Sequence, residues 1–169
     1  MVSDKLRKQT ASFSGHRQIS LDDIPELNRR LDRTLAALAD HGVKYYGSGG
    51  ARGFDLIAAG AVLRLRAVKP AVKLIMVLPC RDQSVKWHEE DKRSYIKTLE
   101  AADKVVYISE NYYDGVMEAR NRRLIENSSV CVVYLKHGRS GTSQTVRLAH
   151  ERGLEIINLA EIQTTGGSD

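Results

Sequence analysis

The chain of 169 residues has few cysteines and no long apolar run. Cys80 and Cys131 are its only cysteines, too few for a disulfide framework, which predicts reduced thiols and a cytoplasmic protein. No stretch approaches the roughly 20 apolar residues that span a bilayer. The residues after Met1 also lack the pattern of a secretory signal. We therefore expect no membrane partner.

Metal ligands at recognisable spacing are also lacking. The five histidines are His16, His41, His88, His137 and His150, and none is paired with another His or Cys at a spacing typical of zinc sites. The sequence therefore predicts no metal site and identifies no cofactor with certainty.

The net charge is modest. Lys and Arg number 26 against 21 Asp and Glu, a balance of +5, and the pI is about 9.3. This permits an anionic ligand or nucleic acid, although a solvated surface explains it equally well. Apolar residues at 42% and charged residues at 28% indicate a globular chain. We expect one domain over residues 10–160, with residues 1–9 and 161–169 flexible.

The stretch Tyr46–Asp55 has glycine at four of the seven positions 47–53. The β-prone residues 43–45 precede it and good helix formers follow it, which predicts a strand, a glycine-rich turn and a helix. Glycine lets the backbone pass close to a ligand, and the first N–H groups of the helix face an anion. Arg52 adds a planar cation suited to phosphate. A tight packing turn is the alternative interpretation of the same residues.

The rest of the chain repeats this strand-and-helix alternation. Apolar stripes at helical spacing lie between short β-prone runs, giving the order βαβαβαβαβαβ. One long charged helix is predicted to begin at Ser84 and to contain Trp87. Alternation of this kind predicts a single Rossmann-like three-layer α/β/α domain with a mostly parallel sheet. The six predicted strands are residues 10–14, 43–45, 73–78, 104–108, 130–135 and 155–159.

Polar and glycine turns follow several of these strands. In open parallel sheets, ligands bind outside the carboxyl ends of the strands. We expect an anion among the turns that follow the strands ending near Ser14, Ser48 and Lys136. Gly141-Thr142 opens a helix and suits a phosphate, although an N-cap Thr is common without a ligand.

Four motifs follow one another along the chain: Ser14-Gly15-His16-Arg17, Gly49-Gly50-Ala51-Arg52-Gly53-Phe54-Asp55, Arg120-Asn121-Arg122-Arg123-Leu124-Ile125 and Gly141-Thr142-Ser143-Gln144-Thr145. Together they resemble the SLOG superfamily, the Rossmann-like group that unites the DNA-processing protein DprA/Smf with the LOG ("Lonely guy") nucleotide hydrolases. Leu78-Pro79 followed by Gln83 and Trp87 resembles its small stand-alone YpsA-like branch. The resemblance runs from about residue 12 to residue 159.

The resemblance implies a small anionic, nucleotide-like ligand and a nucleotide-binding protein, or a sensor of such a ligand. Helical spacing separates Arg120 from Arg122, so Arg120-Asn121 is the better pair. Asp55 either accepts a ribose hydroxyl or simply favours the helix dipole. The candidate ligand-binding residues are Gly15, His16, Arg17, Ser48, Gly49, Gly50, Arg52, Gly53, Asp55, Arg81, Arg120, Asn121, Gly138, Arg139, Ser140, Gly141 and Thr142.

Two alternatives stay open. A LOG-like phosphoribohydrolase needs a catalytic Glu just after Thr142, where this chain has Ser143, so Asp55 or Asp82 would have to replace it. DprA-like binding of single-stranded DNA needs cations along a groove. We expect convergence on one pocket instead, which favours a small ligand over nucleic acid. The arginines concerned are Arg17, Arg52, Arg81, Arg120, Arg122 and Arg139. The sequence leaves the base, the number of phosphates and a homo-oligomer open.

Overall fold

Strands and helices alternate through the chain, and the computed structural model describes residues 2–136, 138 and 140–160. The described strands are β1 (Thr10–Gly15), β2 (Tyr45–Ser48), β3 (Lys73–Leu78), β4 (Lys104–Tyr107), β5 (Val130–Tyr134) and β6 (Glu155–Asn158). The described α-helices are α1 (Asp4–Lys8), α2 (Ile24–Asp40), α3 (Phe54–Val68), α4 (Glu89–Ala101), α5 (Val116–Glu126) and α6 (Gly141–Glu151).

The sheet has six strands in the order β4-β3-β2-β1-β5-β6, and every pair is parallel. The chain steps outward from β1 to β4, and α5 then returns it to β5 on the other side of β1. The strand order therefore reverses between β1 and β5, and a crevice opens there at the carboxyl ends. The predicted Rossmann-like parallel fold is confirmed.

Helices cover both faces of the sheet. The larger apolar core lies under α2, α3 and α4, where α2 contributes Leu27, Leu31 and Leu35 at spacings of four residues. The smaller core lies under α5 and α6 and includes Ile125 and Ala149. The helices cover the two faces of the sheet, and the connecting turns lie at the carboxyl ends of the strands.

The predicted range of β2 is wrong by two residues at its start and three at its end, since the strand runs over Tyr45–Ser48 instead of 43–45. Its end agrees with the turn expected after a strand ending near Ser48. Gly47 therefore belongs to the strand and not to the turn. A Cβ on Gly47 would lie 2.9 Å from Leu124 Cδ2 of α5. This glycine therefore lets α5 pack directly on the sheet.

The predicted start of α4 is also wrong. The helix begins at Glu89 with His88 as its N-cap, and Ser84 does not cap it. Residues 82–87 form turns, in which Trp87 N–H donates to Ser84 O at 3.0 Å. Trp87 lies outside the helix because its ring packs edge-on against Tyr95, with 5.1 Å between the ring centroids.

The N-terminal segment contains a helix that the sequence did not predict. Residues Asp4–Lys8 form one short turn, and the Ser3 side chain accepts a hydrogen bond from Leu6 N–H. The flexibility expected for residues 1–9 stays a prediction, and residues 161–169 lie outside the described part of the chain. Within the described ranges, no helix combines the length and apolarity needed to cross a bilayer.

Candidate functional site

A cavity of about 320 Å³ lies at the carboxyl ends of β1 and β5, at the reversal of strand order. Three turns meet there, because β1, the turn before α3 and the start of α6 all reach this edge. The helix α5 closes it from the side. Its lining residues are Phe13, Ser14, Gly15, His16, Arg17, Ala51, Asp55, Arg120, Asn121, Ser140, Gly141 and Thr142.

The turn after β1 is held on both sides. Phe54 N–H donates to His16 O at 3.1 Å, and Lys136 N–H donates to His16 Nε2 at 3.0 Å. Gly15 is required here, because an added Cβ would lie 2.5 Å from the Phe54 side chain. Arg17 is exposed at the mouth of the cavity. The turn thus presents a cation from a fixed backbone.

The glycine-rich turn before α3 is closed by its own hydrogen bonds. Ser48 Oγ donates to Asp55 O at 2.9 Å and accepts from Gly50 N–H at 3.2 Å. Gly50 and Gly53 have φ of 69° and 81°, in the region that favours glycine. A Cβ on Gly53 would also lie 2.4 Å from Arg17 O. These residues shape the turn, and Asp55 is the member that reaches the cavity.

Asp55 is a carboxylic acid at the cavity wall with 7% of its surface exposed. Its Oδ2 accepts from Ala51 N–H at 3.3 Å. Burial raises the pKa of Asp55, while the positive charges of Arg120 and Arg17 and the Ala51 N–H act in the opposite direction. Among the described lining residues it is the one acid. Its carboxyl group therefore lines the cavity from a largely buried position.

Arg120 enters the cavity from α5 and is almost fully buried, with 4% exposed. Its Nη1 donates to Gly49 O at 2.7 Å and its Nε donates to Asn121 Oδ1 at 2.7 Å. Burial lowers the pKa of Arg120, although the neighbouring Asp55 raises it. A Cβ on Gly49 would collide with this guanidinium at 2.6 Å. Arg120 therefore joins α5 to the turn before α3 and adds positive charge to the cavity.

The start of α6 supplies donors. A capping box pairs Ser140 with Ser143, which satisfies two backbone N–H groups. The N–H groups of Gly141 and Thr142 have no intrahelical acceptor because they open the helix. Thr142 is 7% exposed, and both residues line the cavity. Helix N-termini of this kind favour anions through their N–H groups and dipole.

The structure brings together nine of the seventeen predicted site residues in the cavity lining. They are Gly15, His16, Arg17, Asp55, Arg120, Asn121, Ser140, Gly141 and Thr142. Ser48, Gly49, Gly50 and Gly53 support the adjoining turn from behind. Ligand binding by all of these residues stays a prediction. Phe13, Ser14 and Ala51 complete the lining and were not among the predicted site residues. Their positions near a strand end or in a turn could have indicated them.

Other predicted residues lie away from the lining. Arg52 lies over the Trp87 ring at 5.5 Å, and Arg81 forms an ion pair with Glu110 at 2.7 Å. Gly138 is exposed outside the lining.

Arg139 lies outside the described residues, and Arg122 is exposed on α5. Of the arginines expected to converge on one pocket, Arg17 and Arg120 line the cavity, and the expectation is wrong for Arg52, Arg81 and Arg122. The side chains of Arg52 and Arg81 are taken up by aromatic rings and a carboxylate.

No three His, Cys, Asp or Glu side chains come together at a metal-binding distance within the described ranges. The site chemistry visible there consists of cations, helix N–H groups, hydroxyls and one buried acid.

Solved structures with a similar fold include DNA processing protein A from Helicobacter pylori, described for its single-stranded DNA binding mode. Its TM-score is 0.64 at 23% identity, over 92% of this chain and 67% of that one. DprA from Streptococcus pneumoniae has a TM-score of 0.62 at 21% identity, over 90% of this chain and 50% of that one. At these identities the likeness establishes the fold.

Sequence comparison identifies relatives and a family. A UPF0398 protein of Halalkalibacterium halodurans is 28% identical over 121 residues, covering 70% of this chain and 64% of that protein. A UPF0398 protein of Bacillus pumilus is 29% identical over 104 residues, covering 60% and 56%. The chain thus spans less than two thirds of these relatives. The YpsA model, described as the YspA SLOG family, matches residues 13–154. The chain belongs to the YspA SLOG family.

Proposed function

We propose that the chain binds a small anionic nucleotide or nucleotide derivative in the cavity between β1 and β5, as a binding protein or sensor. The observation that carries this proposal is that Arg17, the α6 N-terminus and Asp55 all line one cavity. Phosphate suits the first two, because helix N–H groups and a guanidinium both donate to its oxygens. A ribose hydroxyl suits the carboxylate.

The size of the cavity supports a small ligand. About 320 Å³ lies at the lower end of the range for ligand pockets. The position at a reversal of strand order is also where open parallel sheets bind nucleotides. Membership of the SLOG family agrees with a nucleotide-like ligand.

A hydrolase is the second candidate, and Asp55 is the observation in its favour. A buried acid with a raised pKa suits proton transfer near a ribose. The helix after Thr142 supplies no Glu at the LOG position, however, since Ser143 stands there and is occupied in the capping box. Binding without rapid turnover is therefore the function that the site supports best.

The first prediction tests the proposed phosphate site at the α6 N-terminus. Nucleoside diphosphates at millimolar concentration should raise the Tm of the protein, since a ligand that binds only the folded state stabilises it. Gly141→Val should abolish the rise, because the side chain would stand at the helix N-terminus where the phosphate is expected. An added Cβ at Gly141 meets nothing within 4 Å, so the substitution should leave the fold intact. Differential scanning fluorimetry measures both.

Gly60→Val is the matched control. Gly60 lies inside α3 and away from the cavity, and its nearest neighbour to an added Cβ is the flexible Arg64 side chain at 3.8 Å. This variant should keep the ligand-induced rise in Tm. An equal rise in wild type and Gly141→Val would remove the α6 N-terminus from the site.

A further inference from the structure

A groove of about 500 Å³ lies across β2, β3 and β4, on the sheet face opposite α3 and α4. We call it the sheet groove. The side chains of β3 alternate between two apolar environments, since Leu74, Met76 and Leu78 belong to the larger core whereas Ile75 and Val77 line the sheet groove. A continuous apolar run of this kind is typical of a parallel strand that is covered on both faces. The second cover of β3 is incomplete here.

The floor and two sides of the sheet groove are apolar. Ile75 and Val106 are partly exposed on the floor, and Leu124 of α5 stands along one side. Val2 and Leu6 of the N-terminal segment line another side and are 38% and 39% exposed. Apolar surface that is left open and contiguous in this way is typical of an interaction site.

The open part of the floor has the width of one α-helix. β3 separates β2 from β4, so the axes of these two strands lie about 10 Å apart at the usual strand spacing. An α-helix with its side chains is about 10–12 Å across. The neighbouring position is taken by α5, whose Leu124 approaches Gly47 of β2. A second helix beside α5 would therefore complete this layer of the sandwich.

Cations border the sheet groove on two sides. Lys104 at the start of β4 and Arg123 on α5 both line it and are exposed. Within the described ranges, no carboxylate pairs with either of them. The one acid in the lining is Glu126, which is already paired with Arg152 at 3.4 Å. The sheet groove therefore has an apolar floor between two uncompensated positive charges.

This charge bears on what covers the sheet groove. A helix lying along the floor turns one flank towards Lys104 and the other towards Arg123, so acidic residues on both flanks would pair with the two cations. A second copy of this chain, related by a two-fold axis, would instead bring the same cations together. A bilayer surface is flat and does not enter a groove beside a raised helix.

We propose that the sheet groove binds an amphipathic α-helix of a partner protein, with its apolar stripe on β2, β3 and β4 and acidic residues on both flanks. The sheet groove and the cavity between β1 and β5 share no lining residue. Helix binding and nucleotide binding are therefore independent, and each can be absent without the other.

Two labelled synthetic peptides test helix binding by fluorescence anisotropy. Each is about 16 residues long, which gives about four helical turns, and carries Leu at spacings of three and four residues. One peptide has Glu on both flanks of this stripe, and the other has Lys at the same positions. Wild type should bind the Glu peptide about tenfold or more tightly than the Lys peptide, since the Glu flanks attract Lys104 and Arg123 and the Lys flanks repel them.

Lys104→Glu combined with Arg123→Glu should reverse the preference in favour of the Lys peptide. Both side chains are exposed, so the fold should persist. Arg93→Glu combined with Lys97→Glu is the matched control, because it changes the net charge equally at two exposed positions of α4, on the other face of the sheet. At an ionic strength of about 0.15 M, where distant charges are screened, this control should keep the preference for the Glu peptide.

Val106→Thr tests the floor of the sheet groove. Threonine keeps the shape and β-branching of valine and adds a hydroxyl group, whose burial under an apolar stripe is unfavourable. The affinity for the Glu peptide should fall about threefold or more. Val68→Thr is the matched control at a position of α3 that is 76% exposed, and it should leave the affinity unchanged.

Four results would contradict an acidic helix as the occupant. The first two are absence of binding by either peptide, and a preference for the Glu peptide that survives in Lys104→Glu combined with Arg123→Glu or an affinity that is unchanged in Val106→Thr. Dimerisation of wild type in sedimentation velocity, weakened by Val106→Thr, would assign the sheet groove to a second copy of the chain. Sedimentation with phosphatidylglycerol vesicles, lost in the sheet-groove double variant and kept in the α4 double variant, would assign it to a membrane surface.

Discussion

Asp55 differs from the other site residues because its buried carboxylate lowers the stability of the folded protein. Burial raises its pKa, so the ionised carboxylate is less stable in the folded protein than in water. One backbone N–H, that of Ala51, donates to it. A carboxyl group kept in such surroundings costs stability, and such costs cluster at functional sites.

Asp55→Asn should therefore raise the Tm at neutral pH and weaken nucleotide binding. The pKa of Asp55 is higher in the folded protein than its unfolded value of about 3.9. The destabilisation by the ionised carboxylate therefore grows as pH rises from the unfolded pKa through the folded pKa. The stabilisation by Asn should be absent near pH 3 and present at pH 7. Scanning fluorimetry across this pH range, with and without nucleotide, measures both effects.

Asp114→Asn is the control for this substitution, because Asp114 is exposed. Its Tm should match that of wild type at pH 7. A lower Tm for Asp55→Asn at pH 7 would show that the carboxylate is structural. Rapid release of free base from a nucleoside monophosphate by wild type, lost in Asp55→Asn, would favour the hydrolase.

The sequence predicted the burial of side chains that depends on helix geometry. It did not predict which side chains pair with residues from distant parts of the chain. Helical spacing correctly separated the buried Arg120 from the exposed Arg122. The partners of Arg81, which are Glu110 and the Tyr107 ring, come from another strand end and its following loop. Nothing in the local pattern around Arg81 indicates them.

Element boundaries were predictable where local chemistry fixes them. The continuous apolar run of β3 was placed correctly at Lys73–Leu78. The start of α4 was not, because Trp87 packing on Tyr95 outweighs the local preference of Ser84 for an N-cap. The extent of β2 was also missed, since the close approach of Leu124 to Gly47 is a tertiary contact.

Asp103 shows how one side chain joins several elements. It precedes β4, and its Oδ2 accepts from Leu74 N–H of β3 and from Arg66 Nη1 of α3, both at 2.8 Å. Burial alone would raise the pKa of Asp103, but the Leu74 N–H, then Arg66 and Lys73, outweigh it and lower the pKa. The carboxylate therefore stabilises the edge of the sheet.

Asp103→Asn should lower the free energy of unfolding by about 1–2 kcal/mol at pH 7, somewhat less than a fully buried hydrogen bond to a charged group, because the Asp103 side chain is 25% exposed. Because the folded pKa is lowered, the stabilisation is present above the unfolded pKa of about 3.9 and is lost as pH falls through the folded value. The difference from wild type should thus shrink below about pH 4. Urea unfolding at pH 7 and pH 3 measures it. Asp22→Asn, at an exposed position, is the control and should match wild type at pH 7.

At the scale of the whole molecule, the fold was predictable because strand and helix patterns alternate strictly, which leaves few topologies. The position of the cavity followed from the same alternation, since the turns at the ends of β1 and β5 had to meet. The distribution of charge over the surface was not predictable. It depends on which cations find carboxylates or rings, as Arg81 does.

The distribution of surface charge bears on whether the ligand is a small molecule or a nucleic acid. A groove for single-stranded DNA needs a track of cations with stacking surfaces along it. Here the described cations of the cavity are Arg17 and the buried Arg120, while Arg52 is associated with Trp87. The net charge of +5 is modest for a nucleic-acid-binding protein. The similarity to DprA therefore extends to the fold.

We expect a labelled single-stranded oligonucleotide to bind with a Kd of about 10⁻⁶ M or weaker near physiological salt, as nonspecific phosphate contacts do. The affinity should fall steeply with added salt, because it comes from counterion release. Fluorescence anisotropy measures both, with Arg52→Ala tested against the matched Arg33→Ala on the exposed side of α2. Nonspecific contact predicts that the two variants weaken binding by similar small factors. Nanomolar affinity near physiological salt, lost in Arg52→Ala and kept in Arg33→Ala, would contradict the small-ligand proposal and favour single-stranded DNA as the ligand.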